Sequence, residues 1–208
     1  GGNGTRFWPR SRAKLPKQLL QIHGDKTMIQ QTVSRLQPTV RHENIFIVSN
    51  PVQAPEIEKQ LPEIPKENII VEPQGKNTAP CIGLAALYVQ RSASPDDVMV
   101  VLPADHLIED EVHFREQIAH AGQVASSSSA LVTLGIKPSY PATGYGYIQR
   151  TAEEVRAGDA CAYKVKTFAE KPNLGTAKRF LESGDFLWNS GIFIWTISAI
   201  LKEMEEHL

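Results

Sequence analysis

The chain has 208 residues, 41% of them hydrophobic, which is enough for one well-packed α/β domain or two small ones. Twenty-two basic residues against twenty-three acidic ones leave a net charge of -1, which excludes a surface basic throughout and with it the usual footprint of a nucleic-acid binder. Two cysteines without CxxC spacing, Cys81 and Cys161, indicate neither a disulfide framework nor a zinc site and read as plain buried thiols; no apolar run reaches the length of about eighteen residues that marks a membrane span. No charged-then-apolar leader is visible either, so a cytoplasmic protein with no membrane partner is the expectation.

The first stretch, GGNGTRFWPRSRAKLPKQ, combines Gly1, Gly2 and Gly4 with Arg6, Arg10, Arg12, Lys14 and Lys17 and carries no acid. Glycines let backbone N–H groups wrap phosphate oxygens, and clustered cations repel one another unless an anion joins them. GG alone would be an ordinary surface turn; with its cations the segment reads as a loop for a small anionic ligand. Apolar residues at Ile29, Val33 and Leu36 predict a helix over 27–36. Short β-branched runs at 44–50 and 68–73 read as buried strands, with one short helix in the proline-studded segment between them. The segment from Asn77, NTAPCIGLAALYVQRSA, reads as a buried helix, and VMVVLPAD at 98–105 as the next strand. Strand, helix, strand predicts a parallel pair.

A surface helix over 113–125 and an inner strand over 130–136 continue the alternation, with SSSS at 126–129 as the turn between them. Beyond Tyr140 the texture changes: GYGYIQR, CAYKVKTFAEKP, a helix near 175–183 and WNSGIFIW at 188–195 suggest partly antiparallel strands added to the same sheet. The fold class expected is α/β, a doubly wound Rossmann-like arrangement, mostly parallel with added antiparallel strands.

In open α/β sheets ligands bind at the carboxyl ends of strands, and chemistry collects there in this sequence. EPQGKNTAP leaves one strand and enters a helix, with Asn77 as an N-cap and Thr78 just inside; capping explains Asn77 but not Gly75 or Lys76, and amides at a helix start suit a nucleotide. In LPADH, Asp105 follows a strand, where it is either a turn residue or a carboxylate for Mg²⁺, which takes oxygen ligands and shares substrate phosphates. His106 is given no proton chemistry. In GYGYI, FAEKP and WNSG, Glu170 and Asn189 can hydrogen-bond sugar hydroxyls and Lys171 can neutralise a phosphate, although a Glu–Lys neighbour pair is commonly just solvated.

Taken in order, GGNGTRFWPRSRAKLPKQ, EPQGKNTAP, LPADH, ATGYGYI, FAEKP and WNSG resemble the nucleotidyltransferases that make nucleoside-diphosphate sugars, and within them the mannose-1-phosphate guanylyltransferase (GDP-mannose pyrophosphorylase) branch. The resemblance spans nearly the whole chain. It implies an enzyme converting GTP and mannose 1-phosphate into GDP-mannose and pyrophosphate, with Mg²⁺ as cofactor, no nucleic-acid partner, and a homodimer as a compatible assembly. Carried over position by position, Gly1, Gly2, Gly4, Thr5 and Arg6 wrap the triphosphate; Arg6, Lys17 and Asp105 are the catalytic set, with Asp105 the metal ligand. Glu72, Pro73, Gly75, Asn77 and Thr78 line the nucleoside, and Gly144, Glu170, Lys171 and Asn189 hold the sugar phosphate. The family pattern places an apolar strand ending in Leu-Ala before GG and a second metal-binding Asp in a later D-Y-x-V-M-E-like segment, so residues 1–208 are expected to be a catalytic domain shortened at both ends. Lys76 stands where Arg is common and Ala142 where Glu is common. The competing expectations are a hexose-1-phosphate nucleotidyltransferase of other specificity and a non-catalytic, nucleotide-sugar-binding regulatory homologue.

Overall fold

The computed structural model describes residues 8–12 and 14–207. The chain divides into two compact units, one of residues 1–95, 103–116 and 200–208, the other of 96–102 and 117–199. Gly1, Gly2, Gly4, Thr5 and Arg6 lie outside the described residues.

In the first unit, helix α1 (Met28–Ser34) starts where the sequence supplies a capping box: the Thr27 hydroxyl accepts from the Gln30 backbone N–H, and the Gln30 side chain accepts in return from the Thr27 N–H. Strand β1 (Ile47–Ser49) and strand β2 (Ile69–Val71) pair in parallel, Ile47 opposite Ile69, with helix α2 (Ala54–Gln60) in the connection between them. Asn50 begins that connection by accepting from the N–H groups of Val52 and Gln53. One core joins these elements. Leu19, Ile29, Val33, Ile57, Leu61 and Ile69 are among its buried members, and Leu15 and Ala104 pack against it. At roughly 1.5–3 kcal/mol for each fully buried large aliphatic side chain, this cluster is what holds the segments around Lys17 and Asp105.

Helix α3 (Thr78–Val89) follows β2. It is less buried than its apolar sequence predicts: Ile82, Ala85 and Ala86 are buried, while Thr78, Ala79, Pro80 and Leu87 are exposed. Asn77 occupies the N-cap position but makes no side-chain capping bond. The third helical residue is Pro80, which has no N–H to offer, and Asn77 itself sits at φ 67 and ψ -161, a positive-φ conformation outside the left-handed helical well.

The second unit is built on a five-stranded sheet of β3 (Val98–Val101), β4 (Val132–Ile136), β5 (Gly146–Ala157), β6 (Ala160–Glu170) and β7 (Phe186–Thr196), ordered β3-β7-β5-β6 with β4 also on β7. The paired registers in this sheet are antiparallel, so the parallel pair expected from strand, helix, strand over 68–105 does not form: β2 pairs with β1, and β3 with β7. An apolar run reports burial on both faces and says nothing of which strand shares its ladder. The architecture is nonetheless mixed α/β, with parallel and antiparallel strands, as the sequence predicts.

Helix α4 (Glu111–Ser128) runs through three of the four serines expected to turn, with the Ser127 and Ser128 hydroxyls donating back to the Val124 carbonyl; the turn falls at Ser129, φ 53. Helix α5 (Leu174–Ser183) is capped by Asn173, which accepts from the Thr176 N–H, and ends on left-handed Gly184. Helix α6 (Ile197–His207) follows β7 directly and lies outside the elements anticipated above. Among the described residues no helix is long and apolar enough to cross a membrane. The cysteine expectation is corrected: Cys161 is exposed on β6, whose side chains are mostly solvent-facing, and Cys81 is only half-buried.

Candidate active site

The first unit brings together two of the residues expected at the reacting phosphates. Lys17 opens a single 3-10 turn (Lys17–Leu19) anchored by buried Leu19, and the Gln18 side chain donates to Gln53. Asp105 follows Ala104, which packs on the same core. The Lys17 ammonium forms an ion pair with the Asp105 carboxylate, their side chains 29% and 25% exposed. Lys17 is therefore a cation with a partner, which corrects the picture of a cationic run lacking any acid: the acid comes from a distant segment. His106, beside it, is half-buried, and burial pushes its imidazole below the ordinary histidine value against the opposing pull of Asp105.

The Glu72–Thr78 segment leaves β2 in the same unit. The Glu72 N–H donates to the Ser49 carbonyl at 2.8 Å, extending the parallel ladder one step, and the Glu72 side chain is buried. Pro73, Gly75, Asn77 and Thr78 are exposed. A Cβ built on Gly75 would meet a Glu72 carboxylate oxygen at 3.7 Å, an ordinary contact, so the glycine is not needed to avoid that side chain. The arrangement leaves a buried acid beneath an exposed backbone turn at the carboxyl end of a parallel strand.

Glu170, Lys171 and Asn189 gather in the second unit, where the start of β5 and the end of β6 lie beside a residue inside β7. Glu170 lies opposite Gly146 in the β5–β6 register, and its carboxylate would stand 2.8 Å from a Cβ on Gly146, with the Asn189 Cβ at 3.5 Å. Lys171 turns out of the sheet at φ 43, its N–H donating to the Tyr145 carbonyl and its ammonium 2.8 Å from Glu170. Both charged side chains are more than half exposed, so the pair is open to a ligand. The Asn189 side-chain oxygen accepts from the Gly191 N–H, which fixes the carboxamide. Gly144, by contrast, has open space where a side chain would be, and the crowded glycine is Gly146.

Sequence reasoning passed over Gly146, the aromatic cluster beside it and two buried polar side chains. Tyr140, Tyr145 and Trp188 meet edge to face at 5.0–6.5 Å, and Trp188 holds a buried indole N–H with no hydrogen-bond partner among the described residues. Arg35 and Gln53 are 2% and 1% exposed in the first unit. The aromatic spacing in YPATGYGY was a usable signal; for Arg35 and Gln53, polar residues inside or beside helices, there was none. Among the described residues no cluster of three or more His, Cys, Asp or Glu side chains forms a ready metal cage.

A family model for nucleotidyl transferases matches residues 1–208. The chain belongs to the nucleotidyl transferase family. It is 45% identical over 212 residues to a mannose-1-phosphate guanylyltransferase of Escherichia coli K12, covering 100% of this chain and 44% of that protein. It is 41% identical over 208 residues to the xanthan biosynthesis protein XanB of Xanthomonas campestris strain B100, covering 99% of this chain and 43% of that one. The chain thus spans less than half the length of these relatives. Among solved structures, a Thermus thermophilus protein described as a mannose-1-phosphate geranyltransferase superposes with TM-score 0.88 at 31% identity, over 100% of this chain and 58% of that one. A Helicobacter pylori protein described as a mannose-6-phosphate isomerase superposes with TM-score 0.78, also at 31% identity, over 94% of this chain and 71% of that one.

Proposed function

We propose that this nucleotidyl transferase is the catalytic part of a mannose-1-phosphate guanylyltransferase, making GDP-mannose and pyrophosphate from GTP and mannose 1-phosphate in the cytoplasm. The observation that carries the reading is the meeting of Lys17 and Asp105, a cation and a carboxylate from distant segments, both expected at the reacting phosphates. The names of the relatives support the choice of nucleotide and sugar.

No nucleophilic side chain is needed, because the phosphate of the sugar substrate is an oxyanion already. An oxygen of that phosphate attacks the α-phosphorus of GTP in line, a P–O bond forms as the bond to the bridging oxygen breaks, and pyrophosphate leaves with the bonding pair. Rate comes from positioning and from cations facing the charge that builds on the phosphate oxygens. Lys17 and Arg6 serve the triphosphate, and Lys171 the sugar phosphate. Glu72, Pro73, Gly75, Asn77 and Thr78 line the nucleoside, and Glu170 and Asn189 accept from and donate to mannose hydroxyls.

The residues present fit a bound Mg²⁺ in one respect: Asp105 offers a hard, partly exposed carboxylate, and this ion is commonly held by one or two carboxylates with substrate phosphates and water completing its shell. When bound, the ion would add charge neutralisation at the triphosphate. Turnover of GTP, ATP, UTP and dTTP against a panel of hexose 1-phosphates, with products identified by mass spectrometry, tests the proposal. GDP-mannose should dominate. Preference for another pair would assign the chain to a sister specificity, and GDP-mannose binding without pyrophosphate release would make it a regulatory homologue.

A further inference from the structure

Arg35 is a charged residue in a place that charged residues avoid. It is 2% exposed, and burial pushes its guanidinium below the ordinary arginine value against the opposing pull of Glu111. Its Nε is buried without a hydrogen-bond partner among the described residues. Its Nη2 donates to the backbone carbonyl of His106 at 2.9 Å, 71 residues along the chain. The residue is itself clamped. Arg115, on the first turns of α4, donates from Nη1 to the Arg35 carbonyl at 2.8 Å and stands 3.8 Å from Glu111.

The carbonyl that Arg35 holds belongs to the residue directly after Asp105. On the other side of Asp105, Ala104 packs into the apolar core, and the carboxylate meets Lys17. The segment carrying the carboxylate is therefore fixed at both flanks, by apolar packing before it and by a buried guanidinium after it. An aliphatic side chain of similar length would fill the same space without desolvating a charge, so filling space does not account for an arginine here.

We propose that Arg35 is a positioning residue for Asp105, holding the 104–106 backbone so that the carboxylate keeps the placement needed to share a divalent cation with the triphosphate. This rests on the reading of Asp105 as the metal ligand. Partners behind metal ligands commonly change metal affinity or activity by about 10- to 100-fold when removed.

The test compares Arg35→Met, Arg35→Lys and Asp105→Ala in the full-length protein. Manganese binding is measured by electron paramagnetic resonance with and without GTP, GTP binding by calorimetry in EDTA, and turnover against Mg²⁺ concentration. Arg35→Met should weaken Mn²⁺ binding to the GTP-loaded protein by about tenfold or more and raise the Mg²⁺ requirement to match, with GTP affinity in EDTA and the KM for mannose 1-phosphate within about twofold of the parent. Arg35→Lys, which keeps a donor for the His106 carbonyl, should recover part of the loss; if the methionine variant does not fold, the lysine variant carries the same comparison at smaller amplitude. A metal response that moves with Asp105→Ala but not with the Arg35 variants overturns this proposal alone. Equal losses in metal-free GTP binding and in metal binding would mean general damage and overturn it too. A response unmoved by Asp105→Ala overturns the metal reading, and this proposal with it.

Discussion

Single residues of the candidate site are defined by where their charges find partners. Lys17 could be recognised in the sequence as a phosphate-facing cation, because it sits among glycines and other cations; its carboxylate partner could not, since ion pairing is set by the fold and not by local spacing. Asp105 was legible as a strand-end acid, whereas Arg35, which holds the carbonyl beside it, looks like any polar residue near the end of a helix. The thiols misled for the opposite reason: cysteine is usually buried, and Cys161 follows the exposed face of β6 instead. They should differ in chemistry. Burial and the nearby Glu72 both push the Cys81 thiol up, and a thiol raised in this way offers less thiolate at neutral pH. Iodoacetamide at neutral pH should therefore modify Cys161 well before Cys81, with Cys81 catching up as the pH is raised; peptide mass mapping showing equal rates at neutral pH would refute the assignment.

At the scale of elements, the helices over 27–36 and near 175–183 were readable. Their boundaries are set by the Thr27–Gln30 capping box and by the Asn173 cap with Gly184 after the helix, which the apolar spacing did not use. The helix after Asn77 was readable as a helix but not in its exposure, because hydrophobicity alone does not reveal that its first residues, Thr78, Ala79 and Pro80, lie at the surface. Strand partners were the weakest part, since pairing is decided between segments far apart, and β7 takes β3, β4 and β5 as neighbours. The junction of β5, β6 and β7 gives the sharpest element-level expectation. A Cβ at Gly146 would stand 2.8 Å from the Glu170 carboxylate, too close for both, and the side chain rather than the backbone would move. Gly146→Ala should leave the melting temperature near that of the parent while raising the KM for mannose 1-phosphate by about tenfold or more, the loss expected for one hydrogen bond involving a charged group. Its KM for GTP should not change. Steady-state kinetics with each substrate varied in turn would show this, and an unchanged sugar KM would remove Glu170 from the sugar site.

For the whole molecule, the sequence conveyed class and family better than topology. Six short motifs in order pointed to a sugar nucleotidyltransferase, and the family match over residues 1–208 bears that out. The mixed α/β architecture followed from alternating apolar strands and helices, while the division into two compact units did not, because nothing in composition marks the points where the chain passes from one unit to the other. The candidate groups follow that division: Lys17, Asp105 and the Glu72–Thr78 segment belong to the first unit, and Glu170, Lys171 and Asn189 to the second. Under the proposed function, Asp105, held against Lys17, supports metal-dependent guanylyl transfer to mannose 1-phosphate. It is tested most directly by measuring pyrophosphate release from GTP and mannose 1-phosphate across a Mg²⁺ titration in the full-length protein and its Asp105→Ala variant. The parent should turn over in a Mg²⁺-dependent manner and the variant should lose this activity at every Mg²⁺ concentration; near-normal turnover by Asp105→Ala would rule out Asp105 as the metal ligand.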